Sequence, residues 1–298
     1  MKQVISISLG SSKRDHSAET NLMGQDFLVK RVGTDGDMEK MISLIRENDG
    51  VADAFGLGGM DIYIQSVNRR YIIKDAEKIA AAALKTPIVD GTGLKNTLER
   101  LVIQYLQQET DLLEGKKKAL IVSAMDRFGM SQALEEAGCE MTYGDLAFIL
   151  NIPLRLKSLK TLAVIAGLLL PVIRRLPFTM IYPTGKKQEA SKPKYPKFFL
   201  EADIIAGDFH FIRRYMPEKL PGKIIITNTV TNDDVILLRE SGVKTLITTT
   251  PEIKGRSFGT NVMEALLVAF KGSKSELADD EYLLLLKELS FKPRIVEL

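Results

Sequence analysis

Small, hydroxyl-bearing and charged residues gather in short stretches that follow apolar runs. Gly10-Ser11-Ser12-Lys13-Arg14 sets two hydroxyls beside two cations, which suits a carboxylate or phosphate, and equally makes a polar turn with solvated cations. Asp90-Gly91-Thr92-Gly93 puts a carboxylate before glycines that let backbone and ligand approach; Asp90 or Thr92 could equally cap a helix. Ser123-Ala124-Met125-Asp126-Arg127-Phe128-Gly129 lies between a buried apolar run and a helical pattern, where a nucleotide's phosphates meet a helix N-terminus. A dinucleotide loop carries three glycines, and between Ser123 and Ser131 only Gly129 is present. Asp145, just past the next apolar run, suits a carboxylate that accepts ribose hydroxyls and favours NAD over NADP, or the N-cap of a helix from Leu146. His16 and His210 are each either a general acid or a hydrogen-bonded structural histidine.

Composition narrows the classes. At 298 residues, 45% hydrophobic and 27% charged, the chain is globular and can hold one large α/β domain or two ordinary ones. Its 41 basic and 38 acidic residues leave a net charge of +3, so no overall field selects nucleic acid or membrane. Cys139 is the only cysteine, which excludes an intrachain disulfide and a thiolate zinc cage, and two histidines exclude a His-rich metal centre. No metal is expected. The first residues run into an alternating strand without a long apolar region, so the expected location is cytoplasmic. Residues 161–173 are uncharged between Lys160 and Arg174, but 13 residues fall short of the ~20 that cross a bilayer, and the run reads as a buried helix ending near Pro171. Residues 184–197, with five lysines, read as a mobile surface loop.

The elements that must position these residues alternate. Strands are expected over 4–9, 27–32 and 52–56, a short pair at 62–64 and 71–73, and a strand at 87–90. Helices are expected at 37–47, 75–84 and 94–108. After the polar stretch 109–118, strands fall at 119–122, 140–142, 178–181, 203–206, 223–227 and 245–248, with helices at 131–137, 156–170, 233–241 and 261–270. The fold class is α/β: a smaller substrate-side α/β domain over 1–112, then a Rossmann-like, mainly parallel sheet domain over 113–298 whose last helices can pack back on the first.

Asp90-Gly91-Thr92-Gly93-Leu94, Leu98-Glu99-Arg100 and the strand-loop-helix from Lys116 resemble the Asn-Thr-Asp-Gly-x-Gly pattern of shikimate dehydrogenases before their nicotinamide-binding domain. Gly222-Lys223-Ile224, then Leu237-Leu238-Arg239, then Phe258-Gly259-Thr260-Asn261-Val262-Met263-Glu264 follow that family's closing order. As a whole the chain resembles a bacterial family labelled quinate 5-dehydrogenase. The resemblance implies an NAD-dependent oxidoreductase acting on a small hydroxylated carboxylic acid, quinate-like or shikimate-like, with a lysine and an aspartate around the hydroxyl. Asp90 matches that aspartate by position, and Lys74 stands at a strand end before a helix. An amine beside a carboxylate can share the hydroxyl proton as hydride leaves carbon. On this reading Ser11, Ser12, Lys13, Asn261 and Glu264 hold the substrate, while Ser123, Arg127, Gly129, Asp145, Thr249 and Gly259 hold NAD. Glu264 stands where the family commonly has glutamine, Val230 where it has tyrosine, and the 123–129 loop replaces a Gly-x-Gly-Gly-type turn. These departures keep a second reading open: a non-catalytic metabolite- or nucleotide-binding protein on the same scaffold, with a homodimer as its further expected partner.

Overall fold

The computed structural model describes residues 1–66, 69–175, 192–250, 252–253, 256–257 and 259–298. The first half folds as β1 (Lys2–Ser8), β2 (His16–Leu22), β3 (Gln25–Gly33), α1 (Met38–Asn48), β4 (Ala54–Gly58), the hairpin β5 (Tyr63–Ser66) and β6 (Arg69–Ile72), α2 (Lys74–Ala80), β7 (Ile88–Val89) and α3 (Thr92–Glu109). Its sheet has the order β2-β3-β1-β4-β7, parallel except for β2 against β3. β4 and most of β1 are buried on both faces, as central parallel strands must be. Asp37 caps α1 by accepting the Lys40 N–H. The edge strand β2 was not expected: His-Ser-Ala-Glu-Thr-Asn-Leu alternates between half-buried and exposed positions and carries little apolar signal.

The second half folds as β8 (Lys118–Ile121), α4 (Phe128–Glu136), β9 (Glu140–Tyr143), α5 (Asp145–Phe148), α6 (Leu159–Ile173), α7 (Pro196–Leu200), β10 (Ile204–Ala206), α8 (Phe209–Tyr215), β11 (Ile224–Thr227), α9 (Asn232–Glu240), β12 (Thr245–Thr248), the small hairpin β13 (Glu252–Ile253) and β14 (Arg256–Ser257), α10 (Thr260–Lys271), α11 (Asp279–Glu288) and β15 (Arg294–Glu297). Its six-stranded sheet runs β15-β12-β11-β10-β8-β9, with only β15 antiparallel. The order reverses beside β8, so the carboxyl ends of β8 and β10 form a switch-point crevice. The protein is therefore a mixed α/β chain with a Rossmann-like, mainly parallel sheet following a second parallel-rich sheet. The strand expected at 178–181 and most of the lysine-rich stretch 184–197 lie outside the described residues.

After β12 the chain returns to the first sheet. Val262, Leu266 and Leu267 of α10 and Leu285 of α11 share one buried cluster with Val4, Ala54, Val89, Leu94 and Leu98. The opposite face, Ile5 and Ile7, packs on Met41 and Ile45 of α1. Each fully buried leucine or isoleucine of this kind stabilises the fold by ~1.5–3 kcal/mol. α10 thus presents its N-terminus against the first sheet, where Asn261 lies beside Ser6, Gly58 and Gly91. The helix expected to stop near Pro171 continues to Ile173, since a proline so close to the C-terminus disrupts little of the ladder. Among the described residues no helix is long and apolar enough to cross a membrane.

Candidate functional site

Between the two sheets lies a cleft of about 640 Å³, reached by the loops after β1, β4, β8, β10 and β11 and by the first turn of α10. Its floor is a charged cluster. Lys95, in the first turns of α3, points its Nζ to Asp61 Oδ1 at 2.9 Å and Asp126 Oδ1 at 3.1 Å. Asp126 Oδ2 accepts from Arg127 Nε at 3.1 Å, and Arg127 also donates to Glu99 Oε1 at 2.5 Å and to Asp208 Oδ2 at 2.9 Å. Arg127 is 2% exposed, so its charge is spent on three carboxylates across the switch point.

Burial and the neighbouring Asp126 and Asp90 carboxylates push Asp61 well above the usual carboxyl range against the pull of Lys95. Burial would raise Asp126 as well, but Lys95 and Arg127 overcome it and hold Asp126 ionised. For Lys95 the cost of burial is outweighed by Asp126 and Asp61, and the ammonium form is strengthened. The result is a carboxyl group of raised proton affinity, an ammonium and a carboxylate in one hydrogen-bonded unit facing the cleft, an arrangement suited to giving and taking a proton.

One wall is cationic: Lys13, Arg14 and Arg31 from the first domain and Arg214 from α8 line the cleft, with His16 beside them. His210, Gly259 and Asn261 also line it, and Asn261 Nδ2 donates to Ser6 Oγ at 3.0 Å. A small acid would meet cations on that wall and hydroxyl and amide groups beside it.

Several sequence-based expectations need correction. Lys74 is exposed and outside the cleft lining, and no ion pair joins it to Asp90 among the described residues. Asp90 does border the cleft, but its carboxylate is engaged with backbone, accepting from Ile62 N–H at 2.5 Å, Tyr63 N–H at 3.2 Å and Thr92 N–H at 2.7 Å. The lysine and aspartate that do meet at the cleft are Lys95 and Asp61, Nζ to Oδ1 at 2.9 Å. Lys95 was visible five positions after Asp90, about one helical turn into α3, whereas Asp61 carried no local signal. Ser11 and Ser12 lie outside the lining: Ser11 Oγ accepts the Lys13 N–H and Ser12 N–H donates to Asp35. Glu264 is wholly buried beneath the cleft, accepting from Gly91 N–H at 2.5 Å and the Tyr282 hydroxyl at 2.7 Å. Thr249 is wholly buried in the second domain, its N–H donating to Thr227 O.

The cofactor corner differs most. NAD would bring a pyrophosphate against the loop after β8, and the residues there do not fit it. The N–H groups of Ala124 and Met125, the donors a phosphate would use, each donate at 3.0 Å to the Asp145 carboxylate. Asp145, expected to hold a ribose, serves as the loop's own anion. Met125 and Phe128 are buried in the core. Gly129 serves helix packing: a Cβ there would stand 2.8 Å from the Asn96 carbonyl oxygen of α3. Ser123 is 1% exposed and lies beside Asp145 in a separate apolar pocket. Among the described residues no group of three His, Cys, Asp or Glu is arranged to hold a metal.

Comparison with solved structures finds distant similarity. The malic enzyme of Entamoeba histolytica aligns with a TM-score of 0.41 and 10% identity over 94% of this chain and 60% of that one. An NAD-dependent malic enzyme from Thermotoga maritima aligns at 0.37 and 12%, covering 96% and 75%. A galactofuranose binding protein aligns at 0.37 and 11%, covering 98% and 100%. No curated protein matches the chain. Residues 3–90 match a domain of unknown function (DUF8753), and the chain belongs to the family described as a domain of unknown function (DUF8754), whose model matches residues 93–298.

Proposed function

We propose that the cleft binds a small hydroxylated carboxylic acid of the quinate or shikimate kind, and that Lys95, Asp61 and Asp126 exchange a proton with one of its hydroxyls. The observation that carries this reading is Lys95 held between the Asp61 and Asp126 carboxyl groups on the floor of a cleft with one cationic wall. Lys13 and Arg14 attract the ligand's carboxylate, Asn261 offers an amide at the N-terminus of α10, and Asp61 supplies or receives the proton while Asp126 keeps Lys95 charged. Binding with proton exchange of this kind needs no dinucleotide at the loop after β8, where Asp145 takes the phosphate donors. It therefore departs from the NAD-dependent dehydrogenase that the sequence resembles, while keeping its class of substrate.

Calorimetric titration of quinate, shikimate and malate, with and without NAD, tests it. At least one acid binds, and Lys13→Ala with Arg14→Ala weakens it by about tenfold for roughly 1–2 kcal/mol of lost ion pairing. Lys95→Met leaves measurable binding but removes the proton taken up or released on binding, read from the dependence of the binding enthalpy on buffer ionisation. Absence of binding by every acid, or equal binding by the Lys13/Arg14 variant, refutes the reading. Reduction of NAD with any of these acids restores the dehydrogenase reading and refutes the account of the Asp145 corner.

A further inference from the structure

The corner that does not fit NAD holds a second pocket, of about 80 Å³, walled by Ile64, Met125, Leu146, Leu162, Ala166 and Phe211. Ser123 lines it, and its Oγ is buried with no hydrogen-bond partner among the described residues. A buried hydroxyl without a partner is costly and marks a place where a ligand group can complete the bonding. The other polar groups at the pocket are Asp145, whose two oxygens already accept amide bonds, and Asp126, held by Lys95 and Arg127. These carboxylates repel an anion, and the apolar walls disfavour a desolvated cation. A neutral ligand with one hydroxyl meets neither obstacle. The volume is about half that of an apolar cavity of ~150 Å³ that accepts benzene's six carbons, which limits the ligand to about three carbons.

We propose that this pocket is a binding site for a short neutral aliphatic alcohol, its hydroxyl bonded to Ser123 Oγ and its alkyl chain seated between α5 and α6. α6 supplies Leu162, Ala166 and Leu170 along one face, so the helix that reads as membrane-like in sequence forms the apolar wall. Burial also raises the Asp145 carboxyl to about 6 against the pull of the Met125 and Ala124 amides, in keeping with a site poor in water.

The test is saturation-transfer NMR with the full chain and 1-propanol, with propionate and propylammonium as charged counterparts. Saturable propanol binding with a Kd on the order of millimolar is expected for so few atoms, with both charged probes at least about tenfold weaker. Ser123→Ala weakens propanol about fivefold, the worth of one hydrogen bond, and Ala166→Phe fills the space and abolishes the signal. Ala166→Leu, a smaller filling checked for an unchanged melting profile, also weakens it if Ala166→Phe fails to fold. No saturable signal, a signal unchanged by both Ala166 variants, or preference for a charged probe overturns the proposal. Quinate added to fill the main cleft leaves the propanol signal unchanged, so this test stands whether or not the cleft reading survives.

Discussion

Glu264→Gln is the sharpest test of the electrostatics beneath the cleft. Burial raises the Glu264 carboxyl from its ordinary 4.5 to about 8, helped by Asp90 and Glu276 and opposed by bonds from Tyr282 and the Gly91 N–H. Because the folded state binds this proton more tightly than the unfolded chain, its stabilising contribution is full below pH 4.5 and is lost as pH rises through 8. Between those limits the loss is roughly 5 kcal/mol, and roughly 4 kcal/mol of it falls between pH 5 and 9. Glutamine copies the neutral acid in shape. One of its two contacts, to the Gly91 N–H or the Tyr282 hydroxyl, is mismatched, which costs about 1 kcal/mol at pH 5. Melting temperatures of variant and parent, taken from pH 5 to 9, isolate this group from all others. At about 2 °C per kcal/mol for a chain of this size, the variant melts about 2 °C below the parent at pH 5 and about 6 °C above it at pH 9. A difference that stays flat across that range refutes a buried, neutral Glu264.

Gly129→Ala places a methyl 2.8 Å from the Asn96 carbonyl oxygen, so α3 and α4 must separate, and stability falls by about 1–3 kcal/mol in chemical denaturation. Asp145→Asn gives an opposite pH trend to a simple salt-bridge loss. The raised Asp145 carboxyl stabilises the fold below its ordinary 3.8 and loses that contribution as pH rises through about 6. The asparagine variant is less stable at pH 4, where its amide faces the Ala124 or Met125 N–H, and its deficit narrows towards pH 7, readable in melting curves.

The amino-acid sequence alone determined the alternation of strands and helices. Runs such as Ile204–Ala206 and Ile224–Thr227 are apolar on both faces, which only a covered parallel strand accommodates. It also placed the polar chemistry at strand ends, since those loops carry little apolar burial. The edge strands β2 and β15 escaped because one-sided or polar strands lack that signal, and their partners lie elsewhere in the chain.

Tertiary structure decided which charges meet. Lys95 joins Asp61 and Asp126, 34 and 31 residues away, because α3 runs under the loops after β4 and β8, while Lys74, on α2, is exposed. It also decided that Asp145 fills the phosphate seat of its own loop and that α10 and α11 close the first sheet rather than the second. Periodicity is a local property of the chain, whereas ion pairing depends on distances set only when distant segments pack.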